Sequence, residues 1–180
     1  IKPIKDEILS RFDEKYVLDN FDKDPIVAII ERLKKENYKM GTVESCTGGL
    51  LSSKITSYSG VSSFYELGLT TYAAKQKIKL LGIEEEVIDK YSVVSEEVAY
   101  KMAQNMAERY DLDLVISTTG LAGPGNDGLN LPVGTVFIGV CFRGKTKVFE
   151  KHFEGSRNIV QKKIVEWSLL NLFDILGKMR

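Results

Sequence analysis

Gly41-Thr42-Val43-Glu44-Ser45-Cys46-Thr47-Gly48-Gly49-Leu50 reads as a strand that ends in a hydroxyl, passes through a glycine turn and opens a helix. That order brings a side-chain nucleophile and a row of unpaired helix N–H donors into one small volume. Outward from it the chain keeps alternating. Lys39–Glu44 reads as a strand, Thr47–Tyr58 as a helix and Phe64–Tyr72 as a second strand, with short helices over Ala73–Leu81 and Glu84–Lys90. Ser95 caps a longer helix through Tyr110, with Glu96 and Glu97 in its first turn to complement the macrodipole. Leu114–Thr119 is an apolar strand and Gly120–Pro132 a glycine-rich loop. Gly134–Phe142 and Thr146–Phe153 then form a hairpin turning at Arg143-Gly144, and a last helix runs from Ser156 to Leu176. Upstream, Asp24-Pro25 supplies an N-cap acceptor and a proline at the first helical position, ahead of a buried face made by Ile26, Ile29, Ile30 and Leu33. The pattern predicts an α/β fold: three α/β/α layers around a mixed sheet of about five strands. Sheets of this kind bind ligands where loops leave the strand ends, and both glycine-rich loops lie there.

Composition narrows the function classes. The chain has 180 residues, 43% apolar and 28% charged, enough for one real core. Its 25 basic residues cancel its 25 acidic ones and no basic stripe stands out, which argues against nucleic acid and anionic membranes as partners. Two cysteines, Cys46 and Cys141, and one histidine, His152, are too few for a disulfide framework or a zinc site of the usual spacing. No apolar run approaches a bilayer span, and the charged start resembles no secretory signal, so the expected compartment is the cytoplasm. Residues 1–24 carry a helical stripe of Ile4, Ile8 and Phe12 and are expected to be a linker or the tail of a preceding domain, leaving 25–180 as the functional domain.

Chemistry follows by elimination. A serine–histidine mechanism would need His152, which sits in a charged strand with Glu150 and Lys151 and reads as a solvated residue. A serine can instead be activated by a lysine whose burial favours the neutral amine. Lys75 and Lys79, four apart, share one helix face, whereas Lys77 projects nearly opposite, among Ala73, Ala74, Leu80 and Leu81; the bland alternative is a boundary lysine whose stem reaches water. Strand alternation sends Ser45 and Cys46 to opposite faces, and Ser45 is the favoured nucleophile because Thr47 reads as the cap of the following helix. Glu44 reads either as an orienting carboxylate or as a strand-end surface charge. Gly120-Leu121-Ala122-Gly123-Pro124-Gly125 lets backbone N–H groups approach an anion closely, and Gly155-Ser156-Arg157 puts a guanidinium at a helix start suited to phosphate; each also reads as ordinary turn and surface chemistry.

In order along residues 25 to about 175, the runs Val43-Glu44-Ser45-Cys46-Thr47-Gly48-Gly49, Thr71-Tyr72 with Lys77 and Leu81-Gly82, Val94-Ser95-Glu96, Thr119-Gly120-Leu121-Ala122-Gly123-Pro124, Pro132-Val133-Gly134-Thr135-Val136 and Phe153-Glu154-Gly155-Ser156-Arg157 resemble the CinA C-terminal domain family of nicotinamide-nucleotide amidases. The resemblance implies hydrolysis of the carboxamide of nicotinamide mononucleotide in pyridine nucleotide salvage, without a metal or other cofactor, by a homodimeric α/β/α protein. It places the nucleophile on Ser45, the general base on Lys77 and a supporting hydroxyl on Tyr72. Substrate-binding positions are expected at Glu44, Thr47, Gly48, Gly49, Thr119, Gly120, Ala122, Gly123 and Arg157, with oxyanion donors among the N–H groups of Thr47 to Gly49. In full-length members an upstream pyrophosphatase domain precedes such a connector. This chain departs from the family pattern at Ala73-Ala74, where many members have Ser-Asn, at Ser156, where many have aspartate, and at Gln161, where many have a second arginine. A non-catalytic nucleotide-binding or dimerisation module is therefore the competing reading.

Overall fold

The computed structural model describes residues 25–126 and 128–178. The expected linker, with its Ile4-Ile8-Phe12 stripe, and the Asp24 cap lie outside these residues. In chain order the elements are α1 (Pro25–Lys35), β1 (Met40–Glu44), α2 (Leu50–Thr56), β2 (Tyr65–Thr70), α3 (Ala74–Leu81), α4 (Glu85–Tyr91), α5 (Glu96–Arg109), β3 (Leu114–Gly120), β4 (Thr135–Phe142), β5 (Lys145–His152), α6 (Arg157–Leu170) and α7 (Leu172–Lys178). One five-stranded mixed sheet runs β2-β1-β3-β4-β5, parallel from β2 to β3 and antiparallel from β3 to β5.

Burial follows strand position. β1 and β4 lie inside the sheet and are buried at every residue, whereas the edge strands β2 and β5 largely alternate between covered and exposed. One face of the sheet packs Met40, Leu114, Ile116, Ile138 and Val140 against α1, α2, α6 and α7; the other packs Val43, Val115 and Cys141 against Val98, Met102 and Met106 of α5 and Leu81 of α3. α5 sits directly on β4 at Gly139, where a Cβ would fall 2.6 Å from the Ala99 carbonyl oxygen and 2.4 Å from Ser117 Oγ.

The topology creates the site. β1 passes through α2 to β2 on one flank, and the chain then crosses the opposite face through α3, α4 and α5 to reach β3 on the other flank. Loops leaving β1 and β3 therefore diverge, opening a crevice at their carboxyl ends.

Two expected boundaries change. The helix read from Thr47 begins only at Leu50, because Gly48 and Gly49 take left-handed conformations, with φ of 62° and 102°. The last helix is two: Asn171 interrupts it, its side-chain amide donating to the Trp167 carbonyl at 2.9 Å and sharing that acceptor with its own backbone N–H at 3.1 Å. Ser95 caps α5 as read, accepting from Val98 N–H, and the hairpin turns at Arg143 and Gly144, both with positive φ as a type I′ turn requires.

Candidate active site

β1 ends in a hydrogen bond from Ser45 N–H to the Thr118 carbonyl, and the chain then reverses in a turn closed by Gly48 N–H on the Ser45 carbonyl. Ser45 is thus fixed at the strand end with its side chain half-buried. Cys46 goes the opposite way, into the apolar core beneath α2, where burial pushes its thiol up to about 12. A thiol so strongly protonated is no competing nucleophile.

Opposite Ser45 stands Lys77. α3 carries it on the inward face, as its spacing from the exposed Lys75 and Lys79 predicts, and it is 0% exposed rather than reaching water. Gly82 ends α3 in the left-handed conformation, its N–H bonding the Ile78 carbonyl, so the helix stops one turn after the lysine. Lys77 Nζ lies 2.6 Å from the Thr71 carbonyl oxygen and 3.1 Å from Ser45 Oγ. Among the described residues no carboxylate pairs with it. Burial without a counter-ion lowers its pKa from 10.5 to about 8. Two partners also suit a neutral amine, which can donate to the carbonyl and accept from the hydroxyl.

Glu44 is neither a surface charge nor a partner of Lys77. It is wholly buried, and its two oxygens accept from Thr47 Oγ1 at 2.7 Å, Gly49 N–H at 3.0 Å, Leu51 N–H at 3.0 Å, Ser52 N–H at 2.8 Å and Ser52 Oγ at 2.5 Å. The strand-end carboxylate, not Thr47, therefore caps α2, and it fills the position an anionic ligand would otherwise take at that helix start. Thr47 braces the turn from within, its hydroxyl also paired with Thr118 Oγ1 at 2.7 Å. This revises the expected oxyanion donors. Gly48 N–H and Gly49 N–H are engaged, Leu50 N–H bonds the Thr47 carbonyl, and the turn's remaining N–H groups, those of Cys46 and Thr47, donate to no other described residue.

Above this floor opens a cleft of about 320 Å³, lined by Ser45, Cys46, Tyr72, Val93, the loop Gly120–Gly125 and Arg157. Gly120, Ala122 and Gly123 face it, whereas Thr119 turns its hydroxyl to the Val93 carbonyl at 2.7 Å. Arg157 spans the mouth: Nη1 donates to the Gly123 carbonyl and Nη2 to Tyr72 Oη, both at 2.9 Å. Tyr72 sits on the rim, 61% exposed, with its hydroxyl on Arg157 and not on Ser45 or Lys77. One α6 residue marked in the sequence only as a departure also touches the site: Gln161 Nε2 donates to the Cys46 carbonyl at 2.8 Å. His152 is exposed on edge strand β5 and takes no part. Among the described residues no helix is long and apolar enough to cross a membrane.

Comparison with known proteins gives a consistent family. The model described as the CinA C-terminal domain matches residues 23–176. Proteins named as competence-damage inducible are 36% identical over 170 residues in Alkaliphilus oremlandii, covering 94% of this chain and 41% of that protein, and 41% identical over 133 residues in Clostridium botulinum strain Loch Maree, covering 74% and 32%. The chain thus spans roughly a third to two-fifths of the length of these relatives. Crystal structures of competence damage-inducible protein A from Klebsiella pneumoniae and of a CinA superfamily protein from Escherichia coli superpose with TM-scores of 0.81 and 0.80 at 29% and 31% identity. The first covers 87% of this chain and 97% of its own, the second 91% and 97%.

Proposed function

The chain belongs to the CinA C-terminal domain family, and from that premise we propose that it is an amidohydrolase converting the carboxamide of nicotinamide mononucleotide to nicotinate mononucleotide and ammonia. The observation that carries the reading is the contact between a buried lysine amine, which has no carboxylate partner among the described residues, and a serine hydroxyl, 3.1 Å apart at the floor of a cleft.

In this mechanism the Ser45 hydroxyl gives its proton to neutral Lys77 as Oγ bonds to the amide carbon. The oxyanion formed is met by the N–H groups of Cys46 and Thr47. Collapse breaks the carbon–nitrogen bond, and Lys77, now an ammonium that its burial disfavours, returns the proton to the departing nitrogen to release ammonia. Water then attacks the ester, Lys77 again taking a proton, and Ser45 regains its hydrogen as the carboxylate leaves. Tyr72, tied to Arg157, orients the substrate at the mouth. Among the described residues Arg157 is the only cationic one lining the cleft, and it is the natural contact for the nucleotide phosphate.

The test is ammonia release from nicotinamide mononucleotide by the purified chain, beside Ser45→Ala and Lys77→Ala. The expected result is turnover by the wild type and losses of at least about a hundredfold in each variant. Equal inertness of all three with nucleotide still bound would establish a non-catalytic binding module instead.

A further inference from the structure

α6 enters the site with two side chains four residues apart on one face, Arg157 and Gln161. Arg157 ties the glycine loop to Tyr72, and Gln161 reaches the nucleophile turn through the Cys46 carbonyl at 2.8 Å. The Cys46–Thr47 peptide is trans and planar, so its carbonyl and its N–H point in opposite directions. With the carbonyl held against α6, Thr47 N–H is held facing away from that helix. It is one of the two N–H groups of the turn with no acceptor in another described residue.

We propose that Gln161 is a positioning residue of this site: its amide fixes the Cys46–Thr47 peptide, keeping Thr47 N–H turned from α6 and free to serve as an oxyanion donor next to Ser45. The inference rests on the amidase reading for its reaction, but the geometry stands on a serine nucleophile alone. The turn supplies part of the same restraint. Neither Cys46 nor Thr47 has a positive φ, and flipping their shared peptide would demand one at Thr47, a β-branched residue that resists it. Losing Gln161 therefore loosens the donor rather than removing it, and the effect should be smaller than the hundredfold or more that follows deletion of such a donor.

The test uses the whole chain with Gln161→Leu and Gln161→Arg, measuring ammonia release against pH and the rate at which a fluorophosphonate modifies Ser45, read by intact mass. Gln161→Leu should lower kcat about tenfold with KM within about twofold. Its rate profile should keep the wild-type midpoint near 8, since Lys77 is untouched. Labelling should slow in proportion, and Gln161→Arg, which retains an N–H donor, should recover most of both rates. An unchanged kcat and labelling rate with only a lower melting temperature would overturn the inference, as would a rise in KM alone. A wild type that is labelled at Ser45 yet releases no ammonia sinks the amidase reading while the labelling ratio still decides Gln161; a wild type inert to both overturns the two together.

Discussion

Replacing Lys77 with methionine should make the protein more stable at neutral pH while destroying its proposed activity. Folding lowers the amine's pKa from 10.5 to about 8, which corresponds to about 3 kcal/mol of cost for holding the protonated form in the folded state. Between those two values the unfolded chain carries a proton that the folded chain lacks, so stability from this group rises with pH; below about 8 both states are protonated and the full cost is borne. Methionine fills a similar volume and removes the cost, but leaves the Thr71 carbonyl without its 2.6 Å donor, a loss of about 1 to 2 kcal/mol. The net expectation at pH 7 is a gain of about 1 to 2 kcal/mol for Lys77→Met. By pH 9.5 the wild type recovers about 2 kcal/mol from this amine, so the gap closes or reverses. Urea denaturation of both proteins at pH 7, 8 and 9.5 measures it, with the difference between them cancelling other titrating groups. A variant less stable than wild type by a margin that does not move with pH would show that the lysine is not held at a lowered pKa.

Three further expectations follow. The rate of amide hydrolysis at low substrate should rise about tenfold per pH unit below the Lys77 midpoint and level off above it, since the base works only when neutral; the midpoint sits near 8. Glu44→Ala should strip α2 of its cap and leave Thr47 and the N–H groups of Gly49, Leu51 and Ser52 without their acceptor, costing about 3 to 5 kcal/mol and lowering the melting temperature by about 6 to 20 °C in a chain of this size; a change under about 3 °C in calorimetry would contradict the assignment. Gly139→Ala should drive a methyl into the Ala99 carbonyl of α5, which is backbone and cannot swing aside, costing at least about 1 to 3 kcal/mol in urea unfolding.

The alternation of strands and helices was legible because its signals are local: a buried apolar run for β3, a serine followed by two glutamates for α5, an Arg-Gly pair for the hairpin. Lys77 was legible for the same reason, since helical spacing alone sets it against Lys75 and Lys79. The errors share a cause. Glu44 could not be decided between an orienting carboxylate and a strand-end charge, and Thr47 looked like the cap, because the two left-handed glycines that delay α2 to Leu50 also bend its start back over the Glu44 carboxylate. Nothing in the spacing announces that return. The Arg157–Tyr72 and Gln161–Cys46 contacts join residues 85 and 115 positions apart, and only the packing of α6 beside the nucleophile turn creates them. Asn171 could have been suspected as a break, since its amide competes for backbone carbonyls.

The most direct measurement is the ionisation of Lys77 itself, followed by NMR at its ε-carbon in uniformly labelled protein, with Lys77→Met to assign the signal. A titration midpoint near 8, shifting when Ser45 is acylated, is the predicted result. A midpoint at the 10.5 of an ordinary lysine, indifferent to Ser45, would contradict the account at its foundation.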